Sequence, residues 1–167
     1  HESMVWCQYD LMDYSLDRWR EEVLCANGVL ELLDGNTERT YGNTCHNNTL
    51  GREDGLYCFD DDIADLFVAG RGKSGRLCDP LTAHMGNLGC HGGDAKKPEQ
   101  LIALAELAAT QGHWLILCFH GIEAGQAGRM SPRDHAAFLT YLQTQHGRLW
   151  TAPLIEIARY VRSQREL

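Results

Sequence analysis

Gly112-His-Trp-Leu-Ile-Leu-Cys-Phe-His-Gly121 is the stretch on which the fold class turns. From Trp114 to Phe119 every residue is apolar. Such a run between two glycines predicts a strand buried on both faces. A helical pattern precedes it, so the local unit is helix, short turn, buried strand. His120 then stands where the strand stops. In parallel α/β folds chemistry gathers at the carboxyl ends of the strands, which makes His120 the first candidate functional residue. The competing reading is a loop histidine that merely ends the strand.

The totals bound what surrounds this unit. The chain has 167 residues, is 44% apolar and 23% charged, and carries a formal net charge of −8. That length makes one domain with a real core. The acidic balance argues against a nucleic-acid or anionic-membrane partner, since either needs a basic face. No apolar run approaches a membrane span. The chain starts at His1 without a methionine or a signal peptide, which leaves a processed, trimmed or fragmentary N-terminus open. The seven cysteines form no C-x-x-C pair, so a zinc ribbon or thioredoxin-type site has no support. Cys25 and Cys118 lie in apolar patterns and read as buried free thiols. Cys7, Cys45, Cys58, Cys78 and Cys90 lie in loop-like segments and could pair in an oxidising compartment.

Outward from the central run, helices alternate with short or buried strands, an α/β pattern with parallel strands. Asp13 caps a long first helix with Leu16, Trp19, Val23, Ala26, Leu30 and Leu33 on one apolar stripe and Gly35 past its end. Thr37 to Thr44 reads as a strand and Cys45 to Gly51 as a polar loop. Asp60, Asp61 or Asp62 starts a short helix closed by Gly70. Consecutive carboxylates cannot all face one ion, so they read as solvated acids favouring the helix dipole. Gly70-Arg-Gly-Lys-Ser74 is no phosphate loop, because the position that must be Gly is Phe67. Arg76 to Gly93 reads as a long loop, with His84, His91 and Asp94 in or beside it and no tight ligand spacing. Pro98 to Gly112 is a helix. Gly121 to Met130 is a Gly-rich loop beside His120. Ser131 and Pro132 start another helix. Arg148 to Thr151 is a short strand, with Trp150 read as core, and Pro153 opens the last helix.

Several stretches together resemble the polysaccharide deacetylase family, carbohydrate esterase family four. They are His1-Glu-Ser-Met-Val-Trp-Cys7, Asp13 to Arg18, Tyr41-Gly-Asn-Thr-Cys45, Asp61 to Arg71, Gln111 to Ile122, and Arg148 to Tyr160 with its Trp-x-Ala-Pro. The resemblance covers nearly the whole chain and implies one domain over 1–167. Its implied fold is a distorted (β/α) barrel, here open or incomplete. Its implied activity is metal-assisted hydrolysis of O- or N-linked acetyl groups on a carbohydrate, a part of carbohydrate metabolism, with zinc or another divalent metal polarising water and carbonyl. His120 is then the general acid and His1 a metal ligand. A secreted or periplasmic location follows if the family pattern holds, and a Cys7–Cys45 disulfide goes with it.

Three positions depart from the family pattern. Its second metal histidine falls on Val5. Its early Asp-Asp pair would precede residue 1. Its Tyr-Pro falls on Asn43-Thr44. A three-ligand zinc site cannot be rebuilt from the matched positions, and His46 is the substitute ligand to examine. The substrate-binding candidates are Asn43, Trp6 and Asp94. A barrel lacking its first strands exposes sheet edges, so the sheet is covered or a second copy pairs with it. Two other functions compete: a rewired, metal-independent esterase taking small esters on the same scaffold, and a non-catalytic glycan-binding relic with Trp6 and Trp150 as stacking platforms.

Overall fold

The computed structural model describes residues 11–51, 55–123 and 128–166. The described chain is α/β. Its five α-helices are α1 (Leu16–Asp34), α2 (Asp60–Leu66), α3 (Pro98–Gln111), α4 (Pro132–Thr144) and α5 (Leu154–Arg165). Its six strands are β1 (Thr40–Gly42), β2 (Thr49–Leu50), β3 (Tyr57–Cys58), β4 (Ala69–Ser74), β5 (Leu88–Gly92) and β6 (Leu117–Cys118). β1 pairs with β4 and β5 with β6, both in parallel, while β2 and β3 form an antiparallel pair. The chain divides into two compact units, His1–Lys73 with His84–Leu88, and Ser74–Ala83 with Gly89–Leu167.

The first unit is organised by aromatic burial. Ser15 accepts a hydrogen bond from the Arg18 N–H at 3.2 Å and caps α1, a role expected of Asp13, which lies instead in the preceding 3-10 turn. Gly35 closes the helix in the left-handed region, as expected. Trp19 and Val23 are buried, and Trp19 packs on Phe59 and stands edge-on to Tyr41. The expected stripe stops there. Leu30 and Leu33 are exposed, and so is Cys25, because the second half of α1 runs past the core of its unit. The three aspartates of α2 point to different partners, as their adjacency required. Asp60 accepts from Asn48 and Asn87, Asp61 from His84, and Asp62 from Arg20 and Tyr57. Asp62 is buried and thereby fully engaged.

Strands are where the structure departs most from the sequence pattern. The strand expected over Thr37–Thr44 is confined to Thr40–Gly42, and the expected 45–51 loop contains β2. α2 ends at Leu66, and Gly70–Ser74 is not a helix stop but part of β4. The expected 76–93 loop contains β5, whose Leu-Gly-Cys-His-Gly sequence has no β-branched or aromatic residue to signal a strand. Its glycines are required by close approach: a Cβ at Gly89 would collide with Arg76. The central run forms only the two-residue β6, with Trp114 bridged antiparallel to Cys78. Trp114 and Ile116 are buried while Leu115, Leu117 and Phe119 are half-buried, because β6 pairs on one side only. Arg148–Thr151 forms no strand, and Trp150, expected in the core, is exposed. Cys58, Cys78 and Cys118 are free thiols, and Cys90 is buried.

In the second unit the helices match their signals. Pro98 and Gly112 bound α3, and Ser131 accepts from the Asp134 N–H at 3.1 Å ahead of Pro132 in α4. Leu101, Ala105, Met130 and Phe138 form the core between α3 and α4, with Leu115 and Leu117 against it.

Trp19 is fully buried in a three-ring cluster. Trp19→Ala is expected to lower the unfolding free energy by about 3–5 kcal/mol, read from denaturant melts.

Candidate active site

The site begins with strand register. β5 and β6 pair with His91 opposite Leu117 and Gly92 opposite Cys118. Two residues further along each strand stand Asp94 and His120. The pairing therefore brings together two side chains that are 26 residues apart in sequence. Gly93 makes the approach possible. Its N–H donates to the Cys118 carbonyl at 2.8 Å, and a Cβ on it would collide with the Phe119 ring.

Asp94 spends both carboxylate oxygens on His120. One accepts the backbone N–H at 2.9 Å and the other the ring Nδ1–H at 2.6 Å. A carboxylate only accepts, so Nδ1 carries the proton and Nε2 is the free nitrogen. The His120 side chain is 77% exposed and that of Asp94 20%, so Nε2 is open to a substrate while its partner is sheltered. Arg129 donates to the His120 carbonyl. Nearby, the Glu123 N–H donates to the Met130 carbonyl at 3.0 Å. Burial pushes the Asp94 carboxyl up, but hydrogen bonds from the His120 ring and N–H, helped by the His120 and Arg129 charges, outweigh it and hold the group below the usual carboxylate value. The result is an exposed imidazole with its tautomer fixed by a carboxylate, the arrangement general acid–base chemistry uses.

Asp94 was singled out from sequence as a substrate-binding candidate. In the structure its oxygens belong to His120. Arg129 carried no sequence signal, because its contact with the His120 carbonyl is made only in the folded chain.

The other candidates lie in the first unit or outside the described residues. His1, Trp6 and Cys7 are outside them. His46 donates its Nδ1–H to the Gly72 carbonyl at 2.9 Å, which leaves the Nε2 lone pair outward. Metal-binding histidines are commonly fixed in this way. Cys45 and His46 both have positive φ, at 50° and 62°, and Cys45 is disulfide-bonded. Such a backbone persists only where its surroundings hold it. Asn43 is 1% exposed, and both atoms of its side-chain amide are buried without a hydrogen-bond partner. Its side chain is thus enclosed rather than presented, while its backbone N–H and C=O are tied to Arg71.

Among the described residues no three His, Cys, Asp or Glu side chains are grouped to hold an ion. His84 is occupied with Asp61 at 2.9 Å and with the Gly86 N–H at 3.2 Å. His91 has a buried Nε2 without a partner, and burial lowers its pKa. Among the described residues, moreover, no helix is long and apolar enough to cross a membrane. Compared with models of protein families, with curated proteins and with solved structures, the chain matches none.

His120→Ala is expected to move the Asp94 titration upward, because the ring hydrogen bond that lowers it is lost while burial remains. Carbon NMR of the Asp94 carboxyl reads the shift. The pair's stabilisation is present above the unfolded carboxylate value of about 3.9 and is lost as pH falls through the depressed folded value. The wild-type chain should therefore lose more stability on acidification than His120→Ala. An unchanged Asp94 titration would contradict the pairing.

Proposed function

We propose that the chain is a hydrolase of the polysaccharide deacetylase type, removing O- or N-linked acetyl groups from a carbohydrate with His120 as general acid. The observation that carries this reading is the Asp94–His120 pair at the carboxyl end of a parallel strand. That is the position where the resemblance put the acid, and the motif said nothing of Asp94. The parallel α/β pattern is compatible with the open (β/α) barrel the resemblance implies.

The chemistry assigned to the chain's own residues is limited and definite. As the oxygen of a water molecule bonds to the acetyl carbonyl carbon and a water proton leaves to solvent, protonated His120 gives its Nε2 proton to the sugar oxygen or nitrogen and the C–O or C–N bond to the acetyl group breaks. Asp94 holds the imidazolium before that transfer and the correct tautomer after it. Acetic acid and a free hydroxyl or amine are the products. The family's metal would polarise water and carbonyl. Within the described residues no three candidate ligands are grouped, so no step is routed through an ion. The second reading, a metal-independent esterase, rests on the same pair, since neutral His120 backed by Asp94 can also take a proton from water.

The test is acetate release from acetylated xylan and chitin oligomers, and from a simple aryl acetate, with chelator and with added zinc. His120→Ala is expected to lower kcat about 10²–10⁴-fold, and Asp94→Asn to lower it in the same direction. Zinc-dependent release from the glycans would support the deacetylase, and chelator-resistant release from the aryl ester alone would favour the esterase. Absence of turnover on every substrate would overturn both.

A further inference from the structure

Backbone accounting in the second unit leaves a row of peptide groups unpaired. His91 donates its N–H to the Ile116 carbonyl at 2.8 Å, and Gly93 donates to Cys118 at 2.8 Å. With His91 opposite Leu117, parallel-ladder geometry turns the Leu117 N–H and C=O away from β5. Among the described residues, the backbone of Leu115 and Phe119 likewise has no backbone hydrogen bond. Across from this edge runs the irregular stretch after α4. There too, among the described residues, the N–H groups of Trp150, Thr151 and Ala152 donate to no backbone carbonyl. Between the two walls lies a groove of about 550 Å³, lined by Leu115, Leu117, Leu149, Trp150 and Ala152 among others.

We propose that this groove binds an extended segment of a partner polypeptide, apolar at alternate positions, which adds to β6 as a further strand. The walls select this occupant. An apolar small molecule would match the leucines but bury peptide groups without partners. A strand supplies donors and acceptors along both its edges, and every second side chain enters an apolar wall. Trp150 is 55% exposed on the rim, edge-on to Tyr160 with ring centroids 5.3 Å apart, and an added strand covers it. A second copy of this chain is disfavoured by the net charge of −8 that each copy would bring. The proposal is independent of the acyl-hydrolase reading, since it uses neither Asp94 nor His120.

The test uses the full chain, amide hydrogen exchange read by NMR, and a short capped peptide alternating valine and threonine. The peptide is expected to slow exchange at Leu115, Leu117 and Trp150–Ala152 by about tenfold or more. The same peptide with N-methylated backbone should give no protection. Leu117→Pro removes the outward N–H together with the Leu117 side chain of the groove wall, leaves the β5 bonds in place, and should weaken binding about tenfold or more. The N-methylated peptide keeps the test decisive if that variant does not fold. No protection by the peptide, or equal protection by the methylated one, overturns the proposal. So does protection that is already present in the free chain and grows with protein concentration, which would make a second copy the occupant.

Discussion

The pairing of β5 with β6 is the constraint on which the chemistry of this chain depends. Two hydrogen bonds of 2.8 Å, His91 to Ile116 and Gly93 to Cys118, set the register. A slip of one residue would turn every side chain of β6 to the other face. It would also separate Asp94 from His120, for the two meet only because each lies two residues past a paired position. Gly93 is part of the same constraint, since the Phe119 ring occupies the space any side chain there would need. The acid–base pair is thus an extension of the sheet ladder. Backbone bonds of ordinary strength hold the Asp94–His120 geometry.

The first unit solves a different problem. Its core is a ring cluster of Trp19, Tyr41, Phe59 and Phe67, and its buried carboxylate, Asp62, is held by Arg20 and Tyr57. A buried charge without such partners would cost several kcal/mol. Around this core the chain leaves β1 through a turn with two residues at positive φ, next to the enclosed amide of Asn43. Strain and an unsatisfied buried amide in adjacent residues mark that turn as costly to the fold. His46, with one ring nitrogen anchored and the other outward, is the chemically capable group it presents.

Much of the helical structure was legible because helix boundaries are local. Ser131-Pro132, Pro98 and the closing Gly35 and Gly112 act within one turn of backbone, so their sequence is their geometry. The exception on α1 is instructive. Its apolar stripe continues to Leu33 in sequence, yet burial stops at Val23, because a stripe states which face is apolar and not how far the core extends. The sheet was read less well. β4 reads Ala-Gly-Arg-Gly-Lys-Ser and β5 Leu-Gly-Cys-His-Gly, neither of which carries a clear strand signal. They are strands because neighbouring backbones approach too closely for larger residues.

His120 was identifiable as a candidate from its place after an apolar run, and Asp94 from its chemistry in a polar stretch. The sequence by itself determined an α/β chain, the starts and stops of most helices, and which residues carry titratable groups near strand ends. Only the tertiary structure decided that Asp94 belongs to His120, that Asn43 is enclosed, and that β6 is an edge and not a strand buried on both sides. Pairing, register and burial are relations between segments distant in the chain, whereas capping and periodicity are written within a few consecutive residues.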